Sequence, residues 1–139
     1  MPRVLTILLP LLVLAACDPV DRASVLAAPP RVAADVPFPA VTRDPGVRET
    51  FERHAKSRNY RCHSAMRPVG RRVCSGPKDL SLTFDPRLDG AGYVARFSWV
   101  RSEGRTAEEF HELVQALGDA LRAGGASVEV RMGEMSDSL

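Results

Sequence analysis

The sequence predicts a small α+β domain of two layers. A mostly antiparallel sheet of about five strands is expected against two helices, in the order α-β-β-β-β-α-β. Three observations carry this. Two segments repeat apolar residues at helical spacing. Five short segments alternate apolar and polar residues. The alternating segments are joined by short Pro, Gly and Asp turns, which suit antiparallel neighbours and a single crossover helix.

The first helix is expected near 45–58. Asp44 can cap it and Pro45 fits its first position. Val47, Phe51 and Ala55 share one face, while Glu49 with Arg53 and Glu52 with Lys56 form favourable i,i+4 pairs. Asn59 can take the left-handed cap. Tyr60 to Met66 then alternates as a strand, Arg67-Pro68-Val69-Gly70 reads as a turn, and Arg71 to Ser75 returns. Leu80, Leu82 and Phe84 give a third strand. Tyr93, Ala95, Phe97 and Trp99 give a fourth, whose aromatic side is expected to wall the core. Thr106-Ala107-Glu108-Glu109 is a capping box. Phe110, Leu113, Val114, Leu117, Ala120 and Leu121 follow as an apolar stripe, ended by Gly124-Gly125. Val128, Val130 and Met132 form a last strand. One domain is expected over 43–133, with a frayed tail at 134–139.

Ahead of the domain, residues 18–42 contain Pro19, Pro29, Pro30, Pro37 and Pro39 among many alanines. This composition reads as a semi-rigid linker with a reach of roughly 75 Å in polyproline geometry. Further upstream, Arg3 precedes an apolar run from Val4 to Leu14, then Ala15, Ala16 and Cys17. That is a charged, an apolar and a small-residue region, in the order of an export signal. The run is short of the ~20 residues that span a bilayer. Leu14-Ala15-Ala16-Cys17 resembles the lipobox of bacterial lipoproteins. The resemblance covers residues 1–17 and implies removal of 1–16, acylation of Cys17, and a chain held on the envelope membrane facing the periplasm. Asp18 resembles the signal that favours the inner over the outer membrane. The competing reading is an ordinary cleaved signal with a chance Cys beside it.

The 139 residues carry a net charge of +2. A balance so near zero gives no reason to expect nucleic acid as a partner. The charge is uneven, though. Residues 43–78 hold ten Lys/Arg against three acids, and residues 79–139 hold six against eleven. Arg58, Arg61, Arg67, Arg71 and Arg72 are therefore a candidate contact surface for anionic lipid or an anionic envelope polymer. Two solvated faces that partly pair are the plainer explanation.

Cys62 and Cys74 lie on the two strands of one expected hairpin, behind an export signal. A disulfide between them follows. A metal site is the alternative: His54, Cys62, His63, Met66 and Cys74 fall within 21 positions, and soft ligands suit copper or zinc. Such a site would use His63, Met66 and the two thiols, and it needs Cys62 and Cys74 reduced. No Cys-x-x-Cys or His-x-x-x-His spacing supports it. In His111-Glu112-Leu113-Val114-Gln115, Gln115 stands where a zinc-protease helix needs its second His. Asp85 and Asp89 beside Gly90 lack the alternating acids of a calcium loop. Ser64 and Ser75 lie near His63, without a Gly-flanked nucleophile turn. No cofactor motif or catalytic set is present. The expectation is a non-enzymatic envelope lipoprotein that binds an envelope protein or polymer. An envelope hydrolase with a site assembled from scattered residues is the other alternative.

Overall fold

The computed structural model describes residues 19–29, 45–87 and 92–133. Their elements are β1 (Val20–Ala28), α1 (Pro45–Ser57), β2 (Arg61–Ser64), β3 (Arg72–Ser75), β4 (Ser81–Pro86), β5 (Tyr93–Val100), α2 (Ala107–Ala123) and β6 (Ser127–Met132). The expected α+β class holds, with two helices and one antiparallel sheet. The sheet has six strands, in the order β2-β3-β4-β5-β1-β6.

The additional strand corrects the reading of residues 17–42 as linker. β1 is an inner strand, paired antiparallel to β5 from Val20↔Val100 to Ala27↔Tyr93 and to β6 from Ala23↔Met132 to Ala28↔Ser127. The folded unit therefore takes in residues 20–28 as well as 45–87 and 92–133. Cys17, the rest of the signal segment, residues 30–42 of the expected linker and the tail 134–139 lie outside the described residues.

The residues explain why β1 forms. Ala23, Val25 and Ala27 alternate toward the helices and are fully buried. Ala has little strand propensity of its own, so burial against neighbouring strands supplies the stability. Asp21 shares their side of the strand. Its carboxylate accepts from Trp99 Nε1 at 3.0 Å and from Arg101 Nη2 at 2.6 Å. Arg101, aided by the Trp99 hydrogen bond, holds the Asp21 carboxyl below its ordinary value of 3.8 against the opposing effect of burial. Pro19 and Pro29 flank the strand, where a missing N–H leaves the ladder intact.

Gly92 shows how closely the chain packs here. It has φ +125, and a Cβ at this position would sit 2.1 Å from the Ala27 carbonyl oxygen. Only glycine fits.

Alternating antiparallel pairing makes β5 and β6 parallel to each other with β1 between, so α2 is their crossover. By the same logic α1 connects the parallel pair β1 and β2. Val47, Phe51 and Ala55 of α1 and Phe110, Val114, Leu117 and Leu121 of α2 join one core with the sheet. Tyr93, Ala95, Phe97 and Trp99 wall that core, as their alternation indicates. Phe51 stacks on Phe84 at 3.9 Å between centroids, and Phe84 on Tyr93 at 4.8 Å. The stack runs from α1 through β4 to β5. At α2, Thr106 accepts from the Glu109 amide at 3.2 Å. The capping box is only half formed, because the Glu109 carboxylate pairs with Lys78 at 2.7 Å.

A chain starting at residue 30 leaves β5 and β6 on either side of an empty slot. It should lose its cooperative thermal melt in circular dichroism, whereas removal of a mere linker would leave the melt unchanged. In the full chain, Gly92→Ala should cost about 2 kcal/mol or more in urea unfolding, from strain at positive φ and displacement of β1.

Candidate functional site

The hairpin of β2 and β3 carries most of the residues singled out by sequence. Cys62 pairs opposite Cys74, with Cα atoms 4.1 Å apart, and the two form a disulfide. So close an approach belongs to the non-hydrogen-bonded pairs of an antiparallel ladder, where side chains come nearest. Closing this loop adds about 3 kcal/mol in the chain-entropy model. Cys74 is buried in the core and Cys62 packs at its margin. The bond ties the short edge strand β2 to the sheet.

At the free end of this hairpin the chain turns through Pro68–Arg71, with the Arg71 amide donating to the Pro68 carbonyl at 3.1 Å. The turn is set one residue later than the sequence spacing indicates. Gly70, at φ +90, takes the position that requires the left-handed region. Met66 is 94% exposed and Val69 78% exposed, with Arg67 between them also exposed. Two large apolar side chains are thus held in solvent at the end of a stapled hairpin.

The five arginines do not form one surface. Arg71 makes a two-pronged pair with Asp85, at 2.6 and 3.0 Å. Asp85 is only 3% exposed and also accepts from Arg96 at 3.1 Å. Two guanidinium groups thus neutralise one buried carboxylate on the sheet face away from the helices. Arg72 pairs with Glu52 of α1 at 2.7 Å, tying helix to sheet. Arg71 and Arg72 are structural, which removes them from the expected anion-contact set. Arg67 sits at the hairpin tip. Arg58 and Arg61 are at the opposite end of the sheet, beside a surface depression of about 470 Å³ that Asn59, Ser75 and Lys78 also line. Asp85 is thereby explained without calcium, and Asp89 and Gly90 lie outside the described residues.

The disulfide takes both thiolates away from a copper or zinc site. His63 is exposed on the other side of its strand from Cys62, and Met66 extends into solvent. Among the described residues, no three His, Cys, Asp or Glu side chains converge on a point suited to a cation. His111 and Glu112 are exposed on α2.

His54 is the one histidine drawn into the core. It is 9% exposed and stands edge-on to Tyr60, with ring centroids 6.2 Å apart. Its Nε2 and the Tyr60 hydroxyl are buried without hydrogen-bond partners. The adjacent depression is lined by Thr50, Arg53, Ser57 and Ala120, so a hydrolytic His-carboxylate pair does not form there. Helical spacing does put position 54 on the α1 stripe, three residues after Phe51 and seven after Val47. The polar ring hid it, because the stripe was drawn from apolar residues alone.

No family model matches the chain, and neither the curated proteins nor the solved structures contain a significant match to it.

Burial, and after it the charge of Arg58, pulls His54 below its ordinary value of 6.5. The unfolded chain therefore binds this proton at a higher pH than the folded one. Stability from this group is complete above 6.5 and declines as pH falls through the window below it. Urea titrations between about pH 7.5 and about pH 5.5 should show that decline, with His54→Leu flattening part of the slope. An equal slope in both chains would contradict the assignment.

Proposed function

We propose that this chain is a bacterial envelope lipoprotein, held on the membrane through acylated Cys17 and facing the periplasm, that works as a non-enzymatic binding module. The lipobox Leu14-Ala15-Ala16-Cys17 behind an apolar run supports the anchor. Asp18 favours the inner membrane. No helix of the described residues is long and apolar enough to cross a membrane, so the acyl chains would supply attachment. Two or more such chains hold a protein firmly, at about 0.8 kcal/mol per buried methylene.

The observation that carries the binding role is the hairpin tip. Met66 and Val69 are the two most exposed large apolar side chains of the described residues. The disulfide at the base of the hairpin limits the freedom that binding would have to remove. Arg67 gives the tip a cation between two apolar contacts, suited to an envelope protein with an acidic rim. An anionic envelope polymer would use Arg67 but leave the apolar pair unburied, so the protein partner is the better fit.

Intact mass of protein extracted from its native membrane, alkylated before reduction, should show acyl mass on the mature chain and no alkylation of Cys62 or Cys74. Crosslinking in the envelope should then yield a discrete adduct. The Met66→Ser, Arg67→Glu, Val69→Ser chain should lose that adduct and keep its thermal melt, since exposed substitutions shift stability by only about 0.5 kcal/mol. An adduct unchanged by all three substitutions would contradict the tip as the contact.

A further inference from the structure

We propose that the domain does not stand off the membrane but sits flush on it, with the end of the sheet at Val20, Val100 and Met132 seated in the headgroup layer. This inference rests on the acylation of Cys17.

The first support is covalent reach. The Pro19 carbonyl accepts from the Arg101 amide at 2.8 Å, so the chain is already fixed to the sheet at that residue. Cys17 is two residues earlier. Two residues extend over at most about 7 Å. A tether of the length suggested by composition would have left the domain free at any orientation. A reach this short brings one particular end of the sheet to the bilayer.

The second support is what that end displays. Val20 pairs with Val100 in the ladder, and both are more than 40% exposed. Met132 lies at the end of β6, 40% exposed, next to a groove that Val20, Ala107 and Phe110 also line. Among the described residues, three of the five exposed large apolar side chains thus gather at the anchored end, and the other two, Met66 and Val69, occupy the hairpin tip. Strand directions put that tip at the far end. β1 and β2 are parallel, so the start of β1 and the end of β2 lie at opposite ends of the sheet.

Charge is not what seats the end. Arg101 is taken up by Asp21, and Arg105 lies 3.8 Å from Asp79. Arg58 and Arg61 lie at the same end of the sheet but at its β2 edge, four strands from β1. The seat around β1 is therefore apolar and should form on zwitterionic lipid. The length of β5, eight residues, holds the hairpin tip about 25 Å or more from the headgroups. Anchor and contact tip are thus placed at opposite poles of one rigid sheet.

Trp99 is the only tryptophan and lies beside Val100 at the seated end. In phosphatidylcholine vesicles containing a lipid with a nitroxide on its headgroup, the acylated chain should lose a large part of its Trp99 emission. A second chain, Trp99→Phe with Val69→Trp, moves the reporter to the exposed hairpin tip without touching the core at the new site. It should stay unquenched. Acyl mass on Cys17 with equal quenching of both reporters, or of neither, would overturn the orientation while leaving the lipoprotein reading intact. Absence of acyl mass would overturn both. Inserting a long Gly/Ser segment between Asp18 and Pro19 should abolish Trp99 quenching. Persistence of quenching in that chain would show that reach does not set the seat.

Discussion

The structure depends on β1 filling the slot between β5 and β6. Without it those two strands, both of which bear on α2, share no hydrogen bonds. With it, a crossover that would otherwise bridge a gap closes a continuous sheet. The fit is close on both sides. Small side chains at 23, 25 and 27 lie under the helices, Gly92 lies against the strand backbone, and Asp21 ties the strand's beginning to Trp99 and Arg101. A segment so far from its partners in sequence, pairing with strands some 70 to 110 positions later, makes the fold dependent on long-range closure.

The two ends of the sheet are stabilised by different means. At the β2 edge the strands are four residues long and β2 buries none of its side chains fully, so the covalent bond between Cys62 and Cys74 supplies what its packing does not. Short strands also blunt the edge against pairing with other chains. At the β1 side the stability comes from burial and a carboxylate clamp. Between them Arg71, Arg96 and Asp85 cross-link β3, β4 and β5 on the face without helices. Removing one partner there would leave charge poorly compensated, although a purely apolar replacement of the whole cluster can be as stable.

Much of the fold was legible. Helical stripes at 47–55 and 110–121 and the alternation at 80–84 and 93–99 each reflect one buried face, and the structure places them there; at 128–132 Val128 and Val130 are half-buried and Met132 is exposed. The cysteine pair was legible because the two residues stand on the paired strands of one expected hairpin, and they face each other there in the structure. β1 was not, because its core positions are Ala, Val and Ala between prolines. That composition matches a linker, and only the neighbouring strands turn it into sheet. The candidate contact set was only partly legible for a related reason. A run of arginines reports charge, but Arg71 and Arg72 find Asp85 and Glu52 through tertiary pairing that spacing does not reveal. The exposed tip was hidden because Met66, closing a short alternating run, looks like core, and Val69 was read only as part of a turn.

The position of β1 also decides what kind of lipoprotein this would be, since it converts a long tether into a short stem. Amide hydrogen exchange over residues 20–28 tests it most directly. Amides there that are bonded to β5 or β6 should exchange as slowly as those of β5, through global unfolding alone. Exchange of that stretch at the rate of an open chain, while β5 stays protected, would show that residues 20–28 are the linker their composition resembles and that the sheet closes without them.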